Sequence, residues 1–297
     1  MVSPYASCDL CGASDAAVHL LDSPRLDGPL VRCGRCGLVY VGRRNANFTF
    51  TRADDDRSQA LADRVAALGL VRHEIEDAER PNRAQADRER LQRLRRHVQG
   101  GRLLDVGAAT GTFLEVASET FHDARGVEPD PITSGQARAA GHQVTTGTVD
   151  DVTAPPGGFD AITMLHVIEH LDSPRRVLHK AHQLLRPGGV LLIETPTTDC
   201  VWFRFAPSRW RQLIPDHYYF FSLATLTALL ERCGLQVVEH AKVGRSVSLR
   251  FAADRLRRAG VPFASALPPV LRTLRLERRT VRLNPGDIMS VVARRPS

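Results

Sequence analysis

From residue 102 onward, short apolar runs alternate with longer stretches in which apolar residues recur every three or four positions. The runs at 102–106, 125–128, 143–145, 161–165, 190–194 and 236–243 predict buried strands, with a late one at 288–293. Helix signals fall between them. Asp130 stands before Pro131 with Gly141 beyond the end, Ser173 stands before Pro174, and Ser222 opens "LATLTALLERCG", which closes at Gly234. This alternation predicts a doubly wound α/β sheet.

Upstream the pattern changes. Residues 54–98 are polar, with helical spacing at Leu61, Val65 and Leu68, again at Leu91, Leu94 and Val98, and a break near Pro81. Residues 1–44 hold too little apolar sequence for a conventional core and need a staple. Two C-x-x-C pairs, Cys8 with Cys11 and Cys33 with Cys36, supply one. Thiolates at this spacing fold backbone turns around one tetrahedral zinc, and four sulfurs close the site, so the zinc is expected to be structural. A redox C-x-x-C fits less well, because neither pair opens a helix after a strand. Cys200 and Cys233 read as core residues. The expected organisation is a zinc ribbon at 1–44, a helical connector at 45–99, a main domain at 100–243, a basic helical insertion at 244–282, and a final strand of the core within 283–297.

The 297 residues, 43% of them hydrophobic, suffice for one large core and a small module. No apolar run approaches the ~20 residues of a membrane span, and "MVSPYASCDLCG" carries no leader pattern, so the expected compartment is a reducing cytoplasm. The formal net charge of +7 is unevenly placed. Residues 244–282 contain ten arginines against Asp254 and Glu277, which leaves the rest of the chain near −1. Leu249, Ala252, Ala253 and Leu256 are expected to pack there, opposite Arg255, Arg257 and Arg258. That segment reads either as a solvated insertion or as a surface recruiting an anionic acceptor at a membrane face.

"RLLDVGAATGTFLEVA" at 102–117 reads as strand, glycine loop and helix. A dinucleotide site wants G-x-G-x-x-G and a P-loop ends in Gly-Lys-Ser/Thr, whereas here Gly107 and Gly111 flank Ala108, Ala109 and Thr110. Asp105 is expected at the mouth of the loop, where a carboxylate repels phosphates and attracts a cation. S-adenosylmethionine is cationic and lacks phosphate, and Glu128, ending the next strand, is placed to accept from its ribose hydroxyls. The sequence here resembles class I methyltransferases, whose first motif reads D-x-G-x-G-x-G, with Ala109 in place of the middle glycine. The resemblance continues through "FDAITMLHVIEHLDSP" and "LLRPGGVLLIETP" and covers roughly residues 100–240 plus the last strand. It implies a Rossmann-like seven-stranded sheet and a cofactor site of Asp105, Gly107, Ala108, Gly111, Glu128, Asp150 and His166, with Asp150 toward the adenine.

Methyl transfer to oxygen or carbon also needs a proton removed. His166, Glu169 and His170 would share one face of a helical turn. In ubiquinone-type O-methyltransferases, which this stretch resembles, a comparable turn carries two glutamates and a histidine that bind a divalent cation; His166 takes the place of the first glutamate. The ribbon and "CGLVY" resemble a subgroup found among sugar C-methyltransferases and in polysaccharide and natural-product pathways. The likeness extends to "DHYYFFS", where those enzymes read E-H-x-Y-Y-F-S, and implies catalytic roles for Asp216 and His217; their upstream tyrosine is Ile214 here. "GRSVSLR" resembles their glycine-serine loop.

The expected acceptor is a small hydroxylated metabolite, such as a nucleotide- or lipid-linked sugar. An RNA methyltransferase and a non-catalytic cofactor-binding module are the alternatives. Against the first, "LHVIEH" stands where amino-directed nucleic-acid enzymes carry N/D-P-P-Y/F, and the arginines are not expected to be interleaved with exposed aromatics as a stacking platform requires.

Overall fold

The computed structural model describes residues 5–43, 80–258 and 262–297. The helical face expected at Leu61, Val65 and Leu68 lies outside them. Strands β1 (Ala17–Leu21), β2 (Leu30–Cys33) and β3 (Val39–Val41) form an antiparallel meander. Two equivalent turns carry the cysteine pairs, one before β1 and one between β2 and β3: the Gly12 N–H donates to Cys8 O at 2.7 Å and the Gly37 N–H to Cys33 O at 2.8 Å.

Helix α1 (Arg80–Arg95) takes Pro81 into its first turn, where a missing N–H costs nothing, so the expected break is a helix start. Leu91, Leu94 and Val98 are buried. The alternating elements follow: β4 (Arg102–Val106), α2 (Thr112–Ala117), β5 (Asp123–Glu128), α3 (Pro131–Ala139), β6 (Gln143–Thr146), β7 (Phe159–Leu165), α4 (Pro174–Leu184) and β8 (Leu185–Pro196). The caps are made as the sequence predicts. Asp130 accepts from the Ile132 N–H and Ser173 from the Arg176 N–H. β8 starts five residues before its apolar run, because Leu185 pairs with Phe159 across an irregularity in the register.

Then come α5 (Val201–Phe205), β9 (Tyr219–Phe220), α6 (Leu223–Arg232), β10 (Gln236–Lys242), β11 (Arg245–Ser248), α7 (Leu249–Arg258), α8 (Leu267–Thr273), β12 (Thr280–Leu283) and β13 (Ile288–Arg294). The main sheet has seven strands in the order β10-β13-β8-β7-β4-β5-β6, and only β13 is antiparallel to its neighbours. All other strands therefore point their carboxyl ends to one edge. That is where ligands bind in an open α/β sheet.

Two findings differ from expectation. The segment 244–282 is not purely helical: β11 and β12 pair as an antiparallel stem that holds α7 and α8. Ala253 is buried as expected, but Leu256 is exposed, and α7 buries Phe251 and Asp254 as well. Phe251 packs under the guanidinium groups of Arg245 and Arg255, each 5.0 Å from its ring centre, so the bulkier aromatic takes the inner position.

The ribbon is also no separate appendage. Its sheet runs β1-β2-β3-β9, completed by a strand that lies between β8 and β10 in sequence, and the Val41 N–H donates to Tyr218 O at 2.8 Å. Asp9, inside the first C-x-x-C, accepts from Ser173 Oγ and the Arg175 N–H, both at 2.8 Å, and so caps α4 a second time. One apolar core runs from Leu10 and Leu38 through Tyr218 and Phe221 to Leu226 and Ile193.

Candidate functional site

The glycine loop folds over the carboxyl end of β5. The N–H groups of Gly107 and Ala108 both donate to Val127 O, at 2.8 and 3.1 Å, and the Gly111 N–H donates to Ala108 O at 2.8 Å. Gly107 and Gly111 have φ of 76° and 82°. Ala109, in the middle-glycine position, has φ 45°, a region that disfavours a Cβ. Its N–H donates to Glu128 Oε2 at 2.9 Å, while Glu128 Oε1 accepts from the Asp130 N–H at 3.0 Å. Burial raises the Glu128 pKa and the two amides oppose it. A carboxylate held from behind in this way keeps further lone pairs for ligand hydroxyls.

Asp105 does not stand free at the mouth of the loop. It is 3% exposed and accepts from Thr163 Oγ1 at 2.5 Å on the neighbouring β7. Burial pushes its carboxyl up to about 7, against the Thr163 hydrogen bond. Above it lies a network the sequence did not announce. Arg90 of α1 donates through Nε and Nη2 to Glu194 Oε2, at 2.8 and 2.6 Å, and through Nη1 to Asp87 Oδ1 at 2.7 Å. Glu194, a buried acid ending an apolar strand, was the available signal, since such a charge needs a partner. Asp150, expected near the adenine, is exposed and paired with Arg176. It sits in a short 3₁₀ turn that Thr148 and Asp151 cap reciprocally.

His166 follows β7 with φ 58°, held by its N–H to Glu194 O at 2.8 Å. A 3₁₀ turn, Ile168–His170, comes next in place of the expected α-helical face. The His166 side chain is 42% exposed, whereas Glu169 is fully buried, with Oε1 3.4 Å from His166 Nδ1. Glu169 Oε2 accepts from Thr195 Oγ1 at 2.8 Å. Burial would raise the Glu169 pKa, but His166 beside it and the nearby imidazoles bring it down to about 2. The turn lies on the glycine loop: a Cβ on Gly107 would meet Val167 Cγ2 at 2.5 Å.

Asp216 and His217 lie behind this turn. Asp216 Oδ2 is 3.2 Å from His170 Nδ1, whose ring also meets Asp216 O at 2.8 Å. Burial would lower the His170 pKa, yet Asp216 holds it up at about 9; Asp216 itself, despite burial, falls to about 2. His217 is 4% exposed, and its Nδ1 meets Gln212 O at 2.9 Å. Burial and the His170 charge lower it to about 4, which keeps it neutral with Nε2 as acceptor. The structure thus brings together His166, Glu169, His170, Asp216 and His217, and only His166 among them faces outward. Ligand atoms of Glu169, His170 and His217 fall within 4.8 Å of one another, and Glu169 Oε1 is buried without a hydrogen bond, a donor set that could hold a cation.

The four ribbon cysteines converge as their spacing predicts. Their sulfurs lie within 4.8 Å of one another, with Cys8 to Cys36 at 3.4 Å and Cys11 to Cys33 at 3.5 Å. Zinc–sulfur bonds of ~2.3 Å put tetrahedral sulfurs ~3.8 Å apart, so the set fits that ion with a small expansion. Burial pushes the Cys36 thiol up to about 11, and Cys8 higher; a bound cation would reverse this. Cys200 and Cys233 are buried in the core, as expected.

Known proteins agree with this geometry. A profile described as a methyltransferase domain matches residues 77–240. A probable S-adenosylmethionine-dependent methyltransferase of Mycolicibacterium smegmatis is 30% identical over 148 residues, 49% of this chain and 56% of that protein. This chain therefore spans only about half the length of that relative. A ubiquinone biosynthesis O-methyltransferase of Pseudomonas aeruginosa is 26% identical over 187 residues, covering 54% of this chain and 80% of the relative. An assumed methyltransferase from Bacillus halodurans C-125 shares the fold at a TM-score of 0.50 and 15% identity, over 71% of this chain and all of that one. A seven-stranded sheet with one antiparallel strand, a glycine loop after β4 and an acid ending the neighbouring β5 accompany this match, and the chain belongs to the class I, S-adenosylmethionine-dependent methyltransferase domain family.

Proposed function

We propose that the protein transfers the methyl group of S-adenosylmethionine to an oxygen or carbon of a small hydroxylated metabolite, a sugar or a glycan or natural-product precursor. Cofactor binding falls to the loop of Gly107, Ala108 and Gly111, to Glu128 for the ribose and to Asp105 for the positive charge, with Asp150 at the rim. The observation that carries the reading is the His166–Glu169 pair beside that loop. A buried, ionised Glu169 orients Nδ1 of His166, which leaves Nε2 at the surface as an acceptor.

When bound, the cofactor supplies an electrophilic methyl carbon and a neutral thioether leaving group. His166 Nε2 would take the acceptor's proton as the methyl group is received. Asp216, His170 and neutral His217 hold the turn from behind. Formation of S-adenosylhomocysteine with a panel of hydroxylated sugars tests this, and cofactor binding without turnover would favour a binding module instead.

Cys8, Cys11, Cys33 and Cys36 would hold one structural zinc. A second reading of the acceptor site rests on Glu169 Oε1, which is buried with His166 Nδ1 at 3.4 Å and no hydrogen bond: Glu169, His170 and His217 would hold a divalent cation that acts on the acceptor oxygen. Turnover that requires added magnesium, with ribbon zinc unchanged, supports it.

A further inference from the structure

Two exposed apolar elements leave the sheet at its carboxyl edge. α5 follows β8 directly and turns Val201, Trp202 and Phe205 outward, with Trp202 55% and Phe205 75% exposed. The stem of β11 and β12 follows the carboxyl end of β10. β13 is antiparallel to both β8 and β10, so these two strands run the same way and end on the same side. Glu128 and His166 sit at that edge too, at the ends of β5 and β7.

The arm carries an apolar stripe and a surplus of charge. Leu267, Val270 and Leu274 recur at helical spacing on or just after α8, all are exposed, and no residue of α8 is buried. Phe263, at the turn before, is 88% exposed. Arg250, Arg275, Arg278 and Arg279 are exposed beside them and make no ion pair among the described residues. A soluble surface would not need such bare leucine, valine and phenylalanine.

We propose that α5 and this arm form a docking face for an anionic lipid bilayer, which sets the carboxyl edge of the sheet against the membrane. Arginines meet phosphate headgroups while Trp202, Phe205, Phe263, Leu267, Val270 and Leu274 enter the boundary between headgroups and acyl chains. Nucleic acid would answer the arginines alone and gain little from the aliphatic stripe. No described helix is long and apolar enough to cross a membrane, so the contact is peripheral.

Flotation with vesicles of phosphatidylcholine and phosphatidylglycerol in about a 3:1 ratio tests the proposal. The full chain floats with them, binds phosphatidylcholine alone at least about tenfold more weakly, and is released as salt rises. Arg278→Glu with Arg279→Glu, and separately Phe263→Ser with Leu274→Ser or Trp202→Ser with Phe205→Ser, each lowers partitioning about tenfold or more. All variants retain wild-type circular dichroism and S-adenosylmethionine affinity, which separates this proposal from the catalytic one. Equal binding to neutral and anionic vesicles, absence of flotation, or variants that float as wild type would overturn it. So would RNA binding that depends on the arginines alone, or a solution dimer that Phe263→Ser with Leu274→Ser dissolves.

Discussion

Tyr40 of β3 stands directly opposite Tyr219 of β9, so the ribbon is hydrogen-bonded to the strand that begins two residues after His217. Through this pairing and the Val41 contact to Tyr218, the ribbon braces the segment that carries Asp216 and His217. Removing the zinc proposed for its four cysteines should therefore disturb acceptor chemistry at a distance. Zinc extraction, or Cys33→Ser, is expected to lower turnover roughly 100-fold, the usual penalty for an ångström of misplacement, while cofactor affinity stays within a few-fold. Steady-state kinetics and calorimetry beside metal analysis read this out; a metal-free ribbon with full turnover would refute it.

Asp105 gives cofactor binding a pH dependence with a defined sign. Its carboxyl is pushed up to about 7 in the free protein, mainly by burial. A cationic ligand favours the ionised form, so binding below about 7 must expel a proton. Affinity is expected to tighten about tenfold per pH unit as pH rises toward 7 and to level off above it. Asp105→Asn binds more weakly with a flat profile. Calorimetric titrations across this range check both, and a flat wild-type profile contradicts the role.

His166 and Glu169 should separate chemistry from binding. His166→Ala is expected to lower kcat by about 10²- to 10⁴-fold with S-adenosylmethionine affinity unchanged. Glu169→Gln, which keeps the shape but loses the charge that orients the imidazole, falls between. A kcat indifferent to His166→Ala would move the base elsewhere.

Much of the frame was legible because it is local. Apolar runs placed every strand of the main sheet, and Asp130, Ser173 and Ser222 marked helix starts through hydrogen bonds that reach no further than three residues. The C-x-x-C spacing brought four cysteines together. What escaped is non-local. β9 is two residues long and exists because β3 lies beside it, a pairing across some 180 positions of sequence that no periodicity encodes. Arg90 lies among the charged residues of a mostly polar helix, and its partner Glu194 is over a hundred residues away in sequence. Asp105 was legible as a candidate at the end of a strand, but the hydrogen bond that holds its carboxylate comes from Thr163 of the adjacent strand.

Ala109 offers a stability test. At φ 45° its Cβ costs ~1–2 kcal/mol, of which Ala109→Gly would recover part, offset by ~0.4–1 kcal/mol of added freedom in the unfolded chain. A gain of roughly 0.5 kcal/mol in urea unfolding is expected, where the same change in ordinary backbone would cost about that much. A loss of a full kcal/mol would mean the loop does not need the left-handed turn.

The central claim is that the carboxyl edge of this sheet binds S-adenosylmethionine through Glu128 and the glycine loop. Calorimetric titration of the cofactor into wild-type protein and Glu128→Ala addresses it most directly. The account predicts saturable binding with one site per chain, weakened by about tenfold or more in the variant, as expected when charge-assisted hydrogen bonds to two ribose hydroxyls are lost. Equal affinity in the two proteins, with the variant folded by circular dichroism, would contradict it.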